Sequence, residues 1–336
     1  AALLLGLITL HLRGKSWASG AVLCAGALCK ETALVLGPLF VIALELSVRP
    51  LPTPAKRWRL WGAEALGLLG ALTLRGSFAP GWRAGHVPLS LDEALGTRLA
   101  SVTKGARALL VPLDNGVCDA FEVARSGTPV AAAGLVVLAL VAYLAWRRRG
   151  PALLLALALI PSLQLVPVMR WWSPHYFYLP LAFVAMLAVE AIERYREPAL
   201  RWLPPLALAL AGLSWLDARR YASDQTLWEK ELRLQPACRE AHFYLGEVAL
   251  AAKHWERATQ HYSLAIAPTP GVLSYVDLPA ALQNLGASHL QQGHFASAAA
   301  AFERALQVSS NATTRQQLQH NLLLAGSLAR AQQGRK

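Results

Sequence analysis

Apolar residues fill the first two-thirds of the chain in long runs, interrupted by short stretches that carry Arg and Lys. Runs at 1–12, 17–29, 31–46, 60–74, 129–146, 151–168, 176–193 and 202–216 read as membrane-crossing helices, each of which needs about 20 predominantly apolar residues. Several are shorter, which implies tilt or local thinning of the bilayer. Residues 18–46 leave two arrangements open, one long helix or a hairpin turning at Lys30-Glu31. The pattern changes after residue 75. Leu91, Leu95, Leu99, Val102, Ala106 and Leu109 recur at steps of three and four, the apolar face of a helix. Ser90 and Glu93 have the spacing of a capping box ahead of it. Thr97, Arg98, Ser101 and Lys104 fall on its polar side. A helix near 91–110 is therefore expected in the outer interface rather than across the membrane.

The basic residues give this layout a direction. The loops 13–17, 47–59, 147–150 and 194–201 hold 12 Arg and Lys in 30 residues, whereas 75–128 holds 6 in 54. Basic loops stay on the cytoplasmic side, which places 75–128, the connection 169–175 and everything after 216 outside. The hairpin at Lys30-Glu31 keeps both flanking basic loops inside and is preferred. Charged residues make up 15% of the chain and apolar ones 55%, against about 25% charge in a soluble domain. The net charge of +12 thus belongs to the loops of an integral, multi-pass membrane protein. No basic-aromatic stripe or reading motif accompanies it, so no nucleic-acid partner is expected. Ala1 opens inside an apolar run with neither a basic leader nor a cleavage site, so it is no signal peptide. The chain reads as a C-terminal stretch whose earlier spans lie upstream.

Composition shifts after residue 216 toward Glu, Arg, Gln and His, and a repeat emerges. Leu245-Gly246, Ala258, Tyr262 and Ala265, followed by Pro270 in the first copy, recur 40 residues on as Leu285-Gly286, Ala298, Phe302 and Ala305. Small residues that let two helices approach, followed by an aromatic that fills the space between pairs, are the tetratricopeptide pattern. About six residues near Thr269–Pro279 exceed the usual repeat length. Trp228 and Pro236 match half a repeat upstream, and 321–334 a first helix downstream. The expected fold is all-α: a polytopic transmembrane bundle over 1–216, then an extracytoplasmic tetratricopeptide domain over 217–336, with repeats near 239–270 and 279–312. Stacked helix pairs of this kind hold extended peptides, so a polypeptide partner and the lipid bilayer are the expected partners.

Candidate chemistry is sparse. Lys30 and Glu31 interrupt an apolar stretch, where ionisable groups are costly and functional by default; a pair that only sets helix depth is the plainer reading. Residues 170–180 gather Arg170, Trp171, Trp172, His175, Tyr176 and Tyr178 at an outer surface. Arg170 suits an anionic headgroup or phosphate and His175 acid–base work, while Trp171, Trp172 and Tyr176 equally suit an interfacial belt. Asp114 and Asp119 are the acidic candidates of the long outer loop, where ordinary turn residues are the plainer reading. Cys24 and Cys29 sit among apolar residues, Cys118 and Cys238 both on the outer side, and whether those two join is left open. The cysteines fit no metal spacing, and no bound metal or cofactor is expected. Asn311-Ala-Thr313 fits the glycosylation pattern.

These features together resemble a known family. Ala27-Leu-Cys-Lys-Glu-Thr-Ala-Leu34, the Pro-containing stretch from Leu109 to Asp119, Tyr176-Phe-Tyr-Leu-Pro180 and Asp224-Gln-Thr-Leu-Trp228 are similar to motifs of the transmembrane-and-tetratricopeptide family. Its members are related to protein O-mannosyltransferases (GT-C-type membrane glycosyltransferases) and have bacterial relatives. The resemblance implies sugar transfer from a polyprenyl-phosphate-linked donor to a protein acceptor. Lys30, Arg170 and His175 would meet donor phosphate, Glu31, Asp119, Tyr176 and Tyr178 would be motif residues, and the repeats would present the acceptor. Pro174-His175 stands where the family has an acidic-Arg pair, and the family's catalytic carboxylate lies in a first outer loop that this sequence does not contain. No catalytic residue is assigned. The alternative is a non-catalytic, membrane-anchored scaffold whose repeats recruit protein partners.

Overall fold

The alternation of apolar run and basic loop carries into the backbone. The computed structural model describes residues 2–30, 32–47, 54–78, 88–110, 116–118, 120–148, 150–164, 171–194 and 196–334. Helices dominate among them: α1 (Ala2–Leu12), α2 (Ser16–Cys29), α3 (Thr32–Ser47), α4 (Pro54–Phe78), α5 (Leu91–Leu110), α6 (Pro129–Arg148), α7 (Pro151–Ala158), α8 (Tyr178–Arg194) and α9 (Arg196–Ala218). The C-terminal part adds α10 (Asp224–Leu234), α11 (Arg239–Ala251), α12 (Trp255–Ile266), α13 (Leu278–Gln291), α14 (Phe295–Val308) and α15 (Ala312–Gln333), with two-residue strands β1 (Phe121–Glu122) and β2 (Val272–Leu273). Among the described residues two helical stretches, Pro129–Arg147 and Pro174–Arg194, are long and apolar enough to cross a membrane. Ala2–Leu12, Ser16–Cys29, Ala33–Glu45 and Pro151–Leu163 are apolar but shorter.

Two units separate by internal contacts: Ala1–Val111, Ala124–Val168 and Pro174–Leu206 in one; Pro112–Val123, Met169–Ser173 and Ala207–Lys336 in the other. In the first, Lys30 ends α2 in an extended conformation (φ −152°, ψ 129°), so 16–47 is two helices rather than one. α2 and α4 touch backbone to backbone, because a side-chain carbon on Gly20 would collide with the Ala63 carbonyl and one on Gly67 with the Gly20 carbonyl. Such contact through small residues is how helices associate where no water drives them together. The apolar run 151–168 stays α-helical only to Ala158 and tightens into a 3-10 turn over Ile160–Leu163, where Pro161 has no N–H to continue the helix.

α5 keeps its expected bounds and its capping box: the Ser90 amide donates to Glu93 Oε2 at 3.0 Å and the Glu93 amide to Ser90 Oγ at 3.3 Å. Its buried side takes in only part of the apolar stripe. Gly96, Thr97, Ala100, Ser101, Val102 and Gly105 are buried, while Leu91 and Leu95 are 87% and 51% exposed. Thr97 and Ser101 face inward because their hydroxyls find backbone acceptors, Ala124 O at 3.3 Å and Ser162 O at 2.6 Å. Thr97 and Ser101 of the supposed polar side thus join Val102 of the stripe in the packed face.

The second unit is built on the repeat. Ser223 caps α10, Asp277 caps α13 and Asn311 caps α15, each side chain accepting an amide of the first turn. Leu245, Ala258, Tyr262, Ala265, Leu285, Ala298, Phe302 and Ala305 are all buried. A side-chain carbon on Gly246 would meet the Tyr262 ring at 2.7 Å, and one on Gly286 the Phe302 ring at 2.6 Å. The aromatic and the glycine are therefore one device used twice. The residues that stretch the repeat to 40 contain β2, which pairs antiparallel with β1 in the register Phe121↔Leu273. Downstream of the second copy a single helix, α15, runs from Ala312, longer than the 321–334 segment expected there. Its Leu318 and Ala325 complete the core around Leu282 and Phe302.

Candidate functional site

A groove of about 370 Å³ opens among α10, α11 and α12. Leu232, Leu245 and Val248 give it apolar walls, and Arg233, Arg257, His254 and His261 give it cations or potential cations. Among the described residues neither Arg233 nor Arg257 has a carboxylate partner. Glu229, the acidic group in the lining, accepts from Gln225 at 2.9 Å. The fold supplies this geometry through its ends: Arg239 donates to the last carbonyls of α12, Ala265 O at 2.7 Å and Ile266 O at 3.2 Å, which fixes α11 against α12. Beside the groove Trp228 stacks on Tyr244 at 4.5 Å.

His261 is also half of a histidine pair. Its Nδ1 lies 3.1 Å from His242 Nδ1, so one ring donates and the other must keep a lone pair. Burial holds His242 down to about 4, with His261 adding to it, and burial followed by Arg257 holds His261 down as well. Both folded values lie below the unfolded one, so stability is complete above pH 6.5 and is lost as pH falls toward 4, where the unfolded chain binds more protons. Because the rings are only partly buried, solvent reduces the effect. Between pH 7 and 4.5 the loss is expected to be on the order of 1–2 kcal/mol. Urea unfolding of the protein at the two pH values checks it: His242→Gln should show a smaller pH-dependent shift in midpoint than the parent.

A strap from the long connection before α6 is clamped onto this unit. Cys118 is disulfide-bonded to Cys238, with Cα atoms 6.1 Å apart, which answers what the sequence left open. Cys238 is the cap of α11, and its sulfur accepts the Ala241 amide. Beneath the strap Glu231 is fully buried. It accepts the Cys118 amide at 3.1 Å and Arg220 Nη1 at 3.3 Å; burial pushes its carboxyl up while those two partners oppose the shift. Arg220 also reaches Asp217 at 2.9 Å, which Lys230 holds at 3.0 Å. A side-chain carbon on Gly116 would meet Glu231 Oε2 at 2.6 Å, so a larger residue there would have to displace that carboxylate. Trp172, a candidate for an interfacial belt, is instead buried, its ring 6.2 Å from Phe121.

The other expected site residues are more scattered. Glu31, Asp114, Asp119 and Arg170 lie outside the described residues. Lys30 is exposed at the break between α2 and α3. His175 and Tyr176 sit in a 3-10 turn with rings edge to face at 4.5 Å, and Tyr178 is 65% exposed at the start of α8. A buried ionic cluster passed unnoticed in the sequence. His11 on α1 places Nδ1 2.9 Å from Glu64 Oε1 on α4 and Nε2 3.2 Å from Glu45 Oε1 on α3. Ser19 on α2 donates to the same Glu64 oxygen. Trp61 donates to Glu45 at 3.2 Å, and Arg57 pairs with its second oxygen at 3.4 Å. Four helices are thus joined at one buried polar knot. The available signal was that each acid and the histidine interrupts an apolar run.

The tetratricopeptide repeat family matches residues 279–312, the stretch occupied by α13 and α14. Comparisons with curated proteins and with solved structures return no match. The chain therefore carries a tetratricopeptide repeat, a protein–protein interaction element, within an all-helical fold.

Proposed function

We propose that this protein is a membrane-embedded helix bundle that presents a peptide-binding tetratricopeptide module on the oxidising side of the membrane. The observation that carries the binding role is the pair of copies whose leucine, alanine and aromatic motif residues are buried, together with the cationic groove beside the first copy. Membrane embedding is supported by apolar side chains left uncovered: Leu135, Val136 and Leu140 on α6, and Leu206, Leu208 and Leu216 on α9, are each 55–74% exposed, an apolar surface that water does not favour. The disulfide supports an oxidising compartment for the module. The groove suits an extended acidic segment, whose carboxylates would meet Arg233 and Arg257. A fluorescent Glu-rich decapeptide titrated onto the detergent-solubilised protein tests this. Reversing both charges, Arg233→Glu with Arg257→Glu, is expected to weaken binding at least about ten-fold, since like charges facing each other are strongly unfavourable. Equal affinity in parent and variant would remove the groove from the mechanism.

A second reading follows from the family resemblance and is favoured by Lys30, a cation exposed where two apolar helices break. In it the bundle binds a polyprenyl-phosphate-linked sugar through Lys30, Arg170 and His175 and transfers the sugar to the segment held by the repeats. Removing one charge-assisted phosphate contact costs about 1.5–3 kcal/mol. Lys30→Gln is then expected to lower transfer roughly 10- to 100-fold in a membrane assay with labelled donor. Undiminished transfer would leave Lys30 as a depth-setting residue.

A further inference from the structure

Beside the polar knot, where α2 begins and α4 passes it, the helical unit opens a second pocket, of about 690 Å³. Lys15 and Arg59 supply its cations, Trp17 its aromatic rim, and Ala63 and Leu66 an apolar wall. Trp17 is 78% exposed, as an indole at a membrane interface would be. Gly62, in the lining, leaves the space open: a side-chain carbon there would meet nothing within 4 Å. The two cations differ from their neighbour Arg57, which is paired with Glu45 at 3.4 Å. Glu45 and Glu64 are engaged by His11, Ser19, Trp61 and Arg57. Among the described residues no carboxylate pairs with Lys15 or Arg59.

The chemistry that satisfies this pocket is a phosphate ester attached to hydrocarbon. Two cations would hold its non-bridging oxygens, the indole would lie beside the glycerol region, and the apolar wall would take the first methylenes. We propose that the pocket binds the headgroup of an anionic phospholipid from the leaflet that faces the basic loops. The inference rests on the membrane reading above. A zwitterionic lipid has the same phosphate but adds a cation beside Lys15 and Arg59, so the pocket discriminates by net charge.

The test uses the full chain purified in a neutral detergent and titrated with phosphatidylglycerol or phosphatidylcholine, with bound lipid counted by native mass spectrometry. The parent is expected to prefer phosphatidylglycerol at least ten-fold. At about 1 kcal/mol per cation, Lys15→Gln with Arg59→Gln lowers phosphatidylglycerol affinity roughly thirty-fold and phosphatidylcholine affinity by less, so the preference shrinks. Arg13→Gln with Lys56→Gln removes two charges from the same loops but outside the pocket, and should leave the preference intact. Equal losses in the two double variants, or none in the pocket variant, overturn the site. Displacement of phosphatidylglycerol by millimolar inorganic phosphate overturns the lipid assignment in favour of a soluble anion. A carbonate wash separates this outcome from failure of the membrane reading. A chain released by the wash overturns that reading, whereas a chain retained without lipid preference overturns only the pocket.

Discussion

Replacing Glu64 with Gln is expected to destabilise the helical unit by about 3–5 kcal/mol, because two buried hydrogen bonds to its carboxylate, each worth about 1.5–3 kcal/mol, are weakened or lost. Glu64 Oε1 accepts from both His11 and Ser19; an amide of the same size keeps the volume but not the charge that those donors face. His11 would then lie between Glu45 and a neutral group, with its side chain 3% exposed. For a unit of this size the loss corresponds to roughly 6–20 °C in melting temperature, measurable by thermal unfolding in detergent. The double variant His11→Leu with Glu64→Leu should restore much of it, since replacing the whole pair by apolar groups avoids the desolvation term. A single variant as stable as the parent would mean that water or lipid headgroups reach the knot.

The second large effect is expected at the disulfide. Cys118 and Cys238 are 120 residues apart, and closing a loop of that order restricts the unfolded chain by up to about 4.7 kcal/mol, with about 2–5 kcal/mol typical on removal. Cys118→Ser with Cys238→Ser is the cleaner variant, because a serine hydroxyl in place of the Cys238 sulfur can still accept the Ala241 amide and cap α11. The remaining loss then reports the cross-link and the strap that it holds over Glu231. Denaturant unfolding with and without reductant checks the origin: reductant should lower the parent to the level of the serine variant and leave that variant unmoved.

Helix positions were legible because they follow from patterns local in sequence. The leucine period and the Ser90–Glu93 box locate α5, and the Leu-Gly, Ala and aromatic spacing locates the second repeat where the family match falls. Which face of α5 is covered was not legible. The period finds an apolar stripe, but not that Gly96 and Gly105 bring the Arg125 backbone and the Phe177 ring against another flank, where a side-chain carbon would collide with them. Here Gly96, Ala100 and Gly105 are covered, and Leu91 points away. The polar knot escaped for a different reason. His11, Glu45 and Glu64 stand on three helices, and nothing in one apolar run announces its partner in another. The β1–β2 pairing is two residues long on each side, too short to carry an alternation. The sequence therefore showed that extra residues sit in the first repeat but not what they pair with.

A covalent bond between distant cysteines also constrains how a chain can be threaded. Two thiols can join only in the same compartment, so the polypeptide between them must pass through any intervening bilayer an even number of times. Between Cys118 and Cys238 lie α6, α7, α8 and α9. Four passages satisfy that parity, as do the two long apolar stretches taken alone, Pro129–Arg147 and Pro174–Arg194. Three do not. On the membrane reading proposed above, with α6 and α8 both crossing, the short α7 and the proline-containing α9 are counted together: either both cross or neither does.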